Sequence, residues 1–293
     1  MKPGRSFSAG LALSAFGLAA SAAVLQARDT QFPAQPLTER LLYLRSGRAA
    51  DRAMLQFDAV AADVYWIRTI QHYGRDLRSS RPDRFGLLQP LLDLTTTLDP
   101  HFNIAYRFGA IFLAYPPPVG AGRVDQAVAL LEKGLESNPD RWQYAHDIAF
   151  VHYWFSGDYL EAARWFERAG AMPHAPAWVL PLSAVTRVQG GDRAGARVLL
   201  EHLGTSEEGY VRSAAERGLL QLQALDAIDE LGELVAGYRG RTGRYPASWN
   251  ELFSGQVPQD PTGVPFVYDP STHVVGLSPE STLNPLPAVA RVQ

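Results

Sequence analysis

A pattern of four residues recurs along this chain and restricts the folds that it can adopt. A glycine, an aspartate, an alanine and a large apolar residue stand at Gly157, Asp158, Ala162 and Phe166. The same four types return 34 positions later, at Gly191, Asp192, Ala196 and Leu200. Each copy predicts a turn followed by a short amphipathic helix, and an upstream segment with Gly122, Ala127 and Leu131 fits the same frame one residue out of step. Because a unit of this size cannot bury its apolar face alone, the copies must stack on each other.

The composition excludes several classes of function. The chain has 293 residues, enough for one long domain or two ordinary ones, and its hydrophobic fraction of 46% is normal for a globular protein. It contains no cysteine, which excludes disulfides, cysteine-based zinc sites and thiol catalysis. Its formal charge of −3 gives no support for nucleic-acid binding, which requires clustered positive charge.

The N-terminus indicates export from the cytoplasm. Lys2 and Arg5 precede an uncharged stretch from residue 6 to residue 27 that is rich in Ala, Leu, Gly, Val and Phe. Two interpretations of residues 1–27 stay open: a cleaved secretory signal, or an uncleaved membrane anchor, for which about twenty helical residues are needed. In both, the positive charges on the short N-terminal side place the rest of the chain across the membrane. We therefore expect a bacterial protein that is periplasmic, or anchored in the inner membrane and facing the periplasm.

Most of the chain after this segment is predicted to be helical. Residues 28–53, with two prolines and mixed charges, are expected to form a linker that lies on the following domain. The first helix, from about Met54 to Gly74, has apolar residues at three- and four-residue steps that mark one face, at Phe57, Val60, Ala61, Val64, Ile67 and Ile70. Seven further helices are expected at 85–98, 101–115, 124–135, 141–155, 159–169, 176–188 and 194–203. Residues 207–240 are expected to form one long helix or two broken ones.

The succession of short helices resembles the tetratricopeptide repeat family. The resemblance covers residues 54–222, and the units that contain Gly157 and Gly191 carry it most strongly. It implies an all-α solenoid of stacked helix pairs, in which the first helix of each pair lines a concave groove. Two features depart from the family pattern: Phe150 stands where the family has a small residue, and the triple proline at 116–118 lengthens one turn. Such a fold implies a mode of protein binding and not an activity.

The C-terminal part has a different character. A Gly-x-Tyr-Pro turn at 243–246 is followed by an Asp-Pro-x-Gly-x-Pro-aromatic motif at 260–266, and then by two β-prone segments that predict a small hairpin. With the helix before it, the segment from about residue 221 to residue 280 resembles the C-terminal part of the major pseudopilins of type II secretion and related pilins. No prepilin leader with its apolar helix feeds into this segment, so we do not expect a pilus subunit. Residues 223–293 are expected to form a small α+β cap and tail, and whether the cap also has a pilus-related function stays open.

No sequence motif indicates catalysis or a cofactor. The seven histidines have no metal-ligand spacing, and no Gly-x-Ser-x-Gly motif is present. Residues 120–122 begin like a dinucleotide-binding loop, but Asp125 stands where the third glycine belongs. We therefore expect no metal, no cofactor and no enzymatic activity.

The candidate binding residues are those that the tetratricopeptide register turns toward the concave groove. With Gly157 at the turn between two helices, the register selects Tyr144, Asp147, Val151, Trp154 and Phe155, and in the next unit Trp178 and Val185. Aligning Phe102 with Trp142 places Arg107 opposite Asp147. Two interpretations of this pair stay open: an ion pair that fixes the register of neighbouring units, or the polar centre of a peptide site edged by aromatic residues.

The sequence therefore predicts a non-catalytic scaffold or adaptor of the bacterial envelope that binds a protein partner. The pseudopilin resemblance makes a type IV pilus or secretion apparatus the first place to look for that partner. Two alternatives stay open: a periplasmic enzyme or binder of a small ligand or carbohydrate that uses the aromatic-lined groove, and a structural subunit of a membrane complex. A closed pocket with converging polar groups would favour the small ligand, whereas an open groove would favour the adaptor.

Overall fold

Helices make up most of the chain in a computed structural model, which describes residues 20–21, 57–80, 84–253, 255 and 257–288. The expected linker at 28–53, and all but two residues of the expected signal or anchor at 1–27, lie outside these ranges. From residue 57 onward the described chain contains nine α-helices: α1 (Asp58–Asp76), α2 (Leu88–Leu98), α3 (Asn103–Ala114), α4 (Val124–Ser137), α5 (Trp142–Val151), α6 (Tyr159–Gly170), α7 (Val179–Gln189), α8 (Arg193–Leu203) and α9 (Gly209–Thr242). Two short antiparallel strands follow, β1 (Val267–Asp269) and β2 (Val274–Gly276). Within the described ranges, no helix combines the length and the apolar character that crossing a membrane requires.

The mostly helical character and the small hairpin predicted from the sequence are confirmed. One helix differs from the prediction in its type of turn, and at residues 207–240 one of the two predicted alternatives is present. The helix expected at 141–155 is α-helical only to Val151 and continues as a π-helical turn over His152–Ser156. The segment 207–240 forms one unbroken helix, α9, so the expected domain boundary at residue 222 falls inside it.

The helices pack in sequence order, from α1 against α2 through to α8 against α9. Contacts also join alternate helices: α3 touches α5, α7 touches α9 and α2 touches α4. Ring contacts join two further pairs of alternate helices. Tyr73 of α1 stacks on Phe112 of α3 with ring centroids 4.1 Å apart. His146 of α5 contacts Trp178, at the start of α7, with ring centroids 5.6 Å apart. The odd-numbered helices therefore lie side by side and can present one shared surface.

The sequence repeat is also a repeat of local structure. Gly157 and Gly191 both have a left-handed backbone, with φ of 67° and 84°, a conformation that glycine adopts without strain. The next residue in each copy caps a helix, since Asp158 accepts a hydrogen bond from the N–H of Glu161 and Asp192 accepts one from the N–H of Gly195. The alanine and the large apolar residue are buried in both copies, at Ala162, Ala196, Phe166 and Leu200. The same turn, cap and packing positions therefore recur after 34 residues.

The apolar face predicted for the first helix is not the face that α1 buries. Apart from Ala61, its residues are exposed, at Phe57, Val60, Val64, Ile67 and Ile70. The buried side of α1 instead carries Ala62, Tyr65, Thr69, His72 and Asp76. The reason is that α2 and α3 both contact α1 away from the apolar stripe, and no described helix covers the stripe itself. Periodicity located the most apolar stripe of α1 but not its buried stripe.

The C-terminal half of α9 belongs to a second, smaller core. This core contains Leu231 and Val235 of α9 together with Trp249, Phe266, Tyr268 and Val275. Two hydrogen bonds fix its loops: the indole N–H of Trp249 donates to the carbonyl of Phe266 at 2.9 Å, and the hydroxyl of Tyr268 donates to the carbonyl of Pro246 at 3.0 Å. Since Val211 and Leu222 of α9 belong to the core formed with α7 and α8, this one helix joins the helical layers to the cap.

Candidate protein-binding surface

Four odd-numbered helices present side chains in the same helical register. The positions follow the sequence spacing i, i+4, i+7 and i+11, and within a regular α-helix this spacing keeps side chains on one face. They are Ile104, Phe108 and Ile111 on α3 and Tyr115 directly after it; Gln143, Asp147 and Phe150 on α5 and Trp154 in the π-helical turn after it; Trp178 directly before α7 and Leu182 and Val185 on it; and Tyr210, Ala214, Arg217 and Gln221 on α9. We call the surface formed by these residues the odd-helix face.

Large apolar side chains are exposed on the odd-helix face far more than on the even-numbered helices. Phe108 is 52% exposed, Trp154 is 65% exposed and Tyr210 is 62% exposed. In the described residues, α2, α4, α6 and α8 together expose only two large apolar side chains, Leu160 and Val198. Single exposed apolar residues are ordinary, but rows of them on one face mark a surface that another molecule covers.

The π-helical turn at the end of α5 positions the most exposed aromatic residue of this face. The turn covers His152–Ser156 and ends at Gly157. Trp154 lies within it and contacts the rings of Phe150 and Tyr153, with centroids 6.2 Å and 5.5 Å away. Insertion of a π turn shifts the residues after it around the helix axis, and such turns occur frequently at functional sites. The sequence pattern predicts regular α-helix over this segment and gives no sign of the π turn.

Arg107 and Asp147 form an ion pair between α3 and α5, so the predicted proximity is confirmed. The guanidinium donates two hydrogen bonds to the carboxylate, from Nε to Oδ2 and from Nη2 to Oδ1, the second at 3.1 Å. His146 Nδ1 lies 3.3 Å from the same Oδ1. The hydrogen bond to Asp147 raises the pKa of Arg107 above its ordinary value. A bidentate pair between two helices holds them in register, and because 40% of the Arg107 side chain is exposed, the pair is also open to a partner.

Two of the predicted groove residues are in the core, and that part of the prediction is wrong. Tyr144 and Val151 are buried, because they lie on the side of α5 that packs against α3 and α4. Burial raises the pKa of the Tyr144 hydroxyl to about 12. Phe155 is half-buried and packs against Tyr115.

The other predicted residues, Asp147, Trp154, Trp178 and Val185, lie on the odd-helix face. The register chosen from the sequence did not select Gln143 and Phe150 on α5, Leu182 on α7, or the positions on α3 and α9; Arg107, which it did select, lies beside the face. The signal that could have found them is the i, i+4, i+7 spacing of large apolar residues when it is compared between helices rather than within one.

A cavity of about 380 Å³ opens on the odd-helix face between α7 and α9. Its walls are mainly apolar and include Trp178, Val185, Leu200, Tyr210 and Pro287. The ionisable side chains of the lining are Tyr210 and Arg217. Nη2 of Arg217 already donates a hydrogen bond to the carbonyl of Asn284 at 2.7 Å. The lining therefore offers apolar contact rather than a set of converging polar groups.

The carboxylates with the most perturbed pKa values lie in the cap. Hydrogen bonds from Arg244 and Tyr238 lower the pKa of Glu251 to about 2, and hydrogen bonds from Ser271 and Thr272 lower that of Asp269 to about 2. Both sets of bonds fix local turns, as such ion pairs and turns commonly do. In the described part of the chain, no three His, Cys, Asp or Glu side chains come together as metal ligands would.

No family model, no curated protein and no solved structure matches this chain.

Proposed function

We propose that this chain is a non-catalytic scaffold of the tetratricopeptide type that binds a protein partner in a concave groove. In this proposal the pairs from α1–α2 to α7–α8 are the stacked repeats, and the odd-helix face is the groove. The recurrence of turn, helix cap and buried alanine after 34 residues supports the repeat assignment. The side-by-side packing of the odd-numbered helices supports the assignment of the shared surface.

One observation carries the binding function: exposed aromatic and aliphatic residues occupy the same register on four neighbouring helices. Tryptophan, tyrosine and arginine are the residue types that most often dominate binding energy; this face exposes Trp154, Trp178 and Tyr210, and Arg107 is partly exposed beside it. Neighbouring helix axes are about 8–10 Å apart, so three intervals span roughly 25–30 Å. An extended chain covers that length with about eight or nine residues. The face therefore suits a protein segment better than a small molecule.

The expected cellular site and partner class come from the two ends of the chain. The uncharged stretch after Lys2 and Arg5 supports a role in the bacterial envelope, on the periplasmic side of the inner membrane. The resemblance of the segment 221–280 to pseudopilins makes pilins and secretion components the first partners to test. We propose an adaptor or assembly factor for such a system.

The test compares envelope proteins retained by three forms of the full chain. The first is the natural chain, the second carries Phe108→Ala, Trp154→Ala and Tyr210→Ala, and all three substituted residues are exposed on the odd-helix face. The third is a matched control with exposed apolar residues replaced elsewhere, Leu160→Ala, Val198→Ala and Val274→Ala. Circular dichroism and thermal unfolding first establish that the three forms are equally folded.

We expect at least one envelope protein to be retained by the natural chain and by the control, and lost with the odd-helix variant. With that protein purified, the triple substitution should weaken binding by more than about 30-fold, because each residue at the centre of an interface can contribute about 1–2 kcal/mol. If the odd-helix variant retains every protein that the natural chain retains, the proposed binding surface is wrong.

A further inference from the structure

The C-terminal tail is residues 281–293, and its described part, 281–288, approaches the cavity between α7 and α9. The structure describes the tail to Ala288, and Pro287 already forms part of the cavity wall. The five residues that follow, 289–293, therefore start at the edge of an apolar space of about 380 Å³. This size lies within the range of cavities that bind ligands.

Side chains of α9 hold the backbone of the tail before it reaches the cavity. Gln221 donates from Nε2 to the carbonyl of Leu283 at 2.8 Å and to the carbonyl of Pro285 at 2.9 Å. Arg217 donates from Nη2 to the carbonyl of Asn284 at 2.7 Å. Gln221 is buried under these contacts. Residues of α9 thus already bind one segment through its backbone carbonyls, and that segment belongs to this chain.

Apolar residues recur at every third position of the tail. Leu283 is buried, and Leu286 packs on the core formed by α7, α8 and α9. After the turn at 281–285, Pro287 favours a polyproline II conformation, which has three residues per turn. In such a conformation a spacing of three would keep Leu286, Val289 and Val292 on one side of the tail.

We propose that residues 289–293 occupy the cavity between α7 and α9, with Val289 and Val292 in contact with its apolar walls. At about 3.1 Å per residue in polyproline II, five residues can span about 15 Å, enough to cross the space between two neighbouring helices. In the proposed arrangement Arg291 falls outside the three-residue series, so its charge would stay out of the apolar walls. The cavity is then a site for the chain's own tail. This inference does not rest on the proposed partner binding.

The natural absence of cysteine makes a direct test possible, because a single introduced thiol reports on one position. Val185→Cys places a thiol on the cavity wall. Its rate of reaction with a maleimide is measured in the full chain and in a chain that ends at Ala288. The shortened chain keeps Leu283, Leu286 and Pro287, so all the described contacts of the tail remain.

We expect the thiol at position 185 to react about tenfold more slowly in the full chain, which corresponds to about 1.4 kcal/mol of protection. A control thiol from Val198→Cys, exposed on α8, should react at the same rate in both chains. Adding Val289→Asp and Val292→Asp to the full chain should remove the protection, whereas adding Arg291→Ser should leave it unchanged.

Three results would overturn the proposal. The first is an equal rate for the thiol at position 185 in the full and the shortened chain. The second is a loss of protection with Arg291→Ser as large as that with the two aspartates, because the contact would then not depend on the valines. The third is protection that increases with protein concentration, because the occupant would then be the tail of a second copy.

Discussion

Tyr106 and Tyr144 are a matched pair of buried tyrosines that should respond in opposite directions to the loss of a hydroxyl. Both are fully buried, and their ring centroids are 5.2 Å apart where α3 packs against α5. The hydroxyl of Tyr106 donates to the carbonyl of Thr96 at 3.3 Å. The hydroxyl of Tyr144 has no hydrogen-bond partner among the described residues. The two sites therefore differ in one interaction within the same core.

The two substitutions to phenylalanine have different expected magnitudes. A typical hydrogen bond contributes about 0.5–1.5 kcal/mol, and a buried polar group without a partner costs about 1–3 kcal/mol. Tyr106→Phe removes a long hydrogen bond and should lower the free energy of unfolding by about 0.5–1 kcal/mol. Tyr144→Phe removes only an unpaired hydroxyl and should raise the free energy of unfolding by about 1 kcal/mol.

The gain in free energy of unfolding from Tyr144→Phe, relative to the natural chain, should be larger at alkaline pH. Burial raises the pKa of Tyr144 from 10.0 to about 12, so the unfolded chain loses this proton at lower pH than the folded chain. Stability from the protonated hydroxyl is complete below pH 10 and is lost as pH rises toward 12. At about pH 11 the loss for this one group is about 1.4 kcal/mol, because one pKa unit corresponds to that free energy. The variant lacks the hydroxyl and does not incur this loss.

Urea unfolding followed by far-ultraviolet circular dichroism, at about pH 7 and about pH 11, measures both effects. The dependence of the free energy on urea should be the same for the two variants and the natural chain, so that the midpoints compare stability directly. If Tyr144→Phe destabilises the chain as much as Tyr106→Phe does, the hydroxyl of Tyr144 has a partner and the reasoning is refuted. If the gain in free energy of unfolding from Tyr144→Phe is equal at the two pH values, only the expected pH dependence is refuted.

Two further substitution series test how neighbouring elements are joined. A double-mutant cycle with Arg107→Ala and Asp147→Ala should give a coupling energy of about 1–2 kcal/mol, because the pair is bidentate. The coupling energy should decrease at high salt because Arg107 is partly exposed. A coupling energy near zero would show that the ion pair does not hold α3 and α5 in register. Asp158→Ala should lower the free energy of unfolding by about 1 kcal/mol through loss of a helix cap. Asp192→Ala should lower it further, because Asp192 also binds Arg187 at 3.0 Å, and equal losses from the two aspartates would contradict this assignment.

Local rules account for the parts of the fold that could be predicted from the sequence. Gly157 and Asp158 need only their own backbone geometry and the next helical turn to act as turn and cap, and the same holds at Gly191 and Asp192. Such signals do not depend on distant contacts. The bounds of the short helices and the position of the hairpin followed from them for the same reason.

Side-chain direction could not be predicted in the same way, because it depends on which neighbours a helix meets. In α5, Tyr144 is buried and Gln143, one residue earlier, lies on the odd-helix face, so an error of one position exchanges core for surface. In α1 the most apolar stripe is exposed, and polar residues such as Thr69 and His72 are buried. The path of the tail across Gln221 depends on a contact between residues more than sixty positions apart, which no local pattern encodes.

The two ends of the helical part of the chain differ in how their apolar residues are covered. A stack of helix pairs needs its terminal apolar surface covered. At the C-terminal end, α9 meets this need, since Leu231 and Val235 are buried by the cap and the tail crosses the same helix. At the other end, Trp66 and Tyr73 of α1 point toward α3, and the exposed stripe that includes Val64 lies on another side of α1. That stripe is therefore separate from the odd-helix face. Substitutions at Phe108 or Trp154 should accordingly weaken binding of a partner, whereas substitutions in the stripe should leave that binding unchanged.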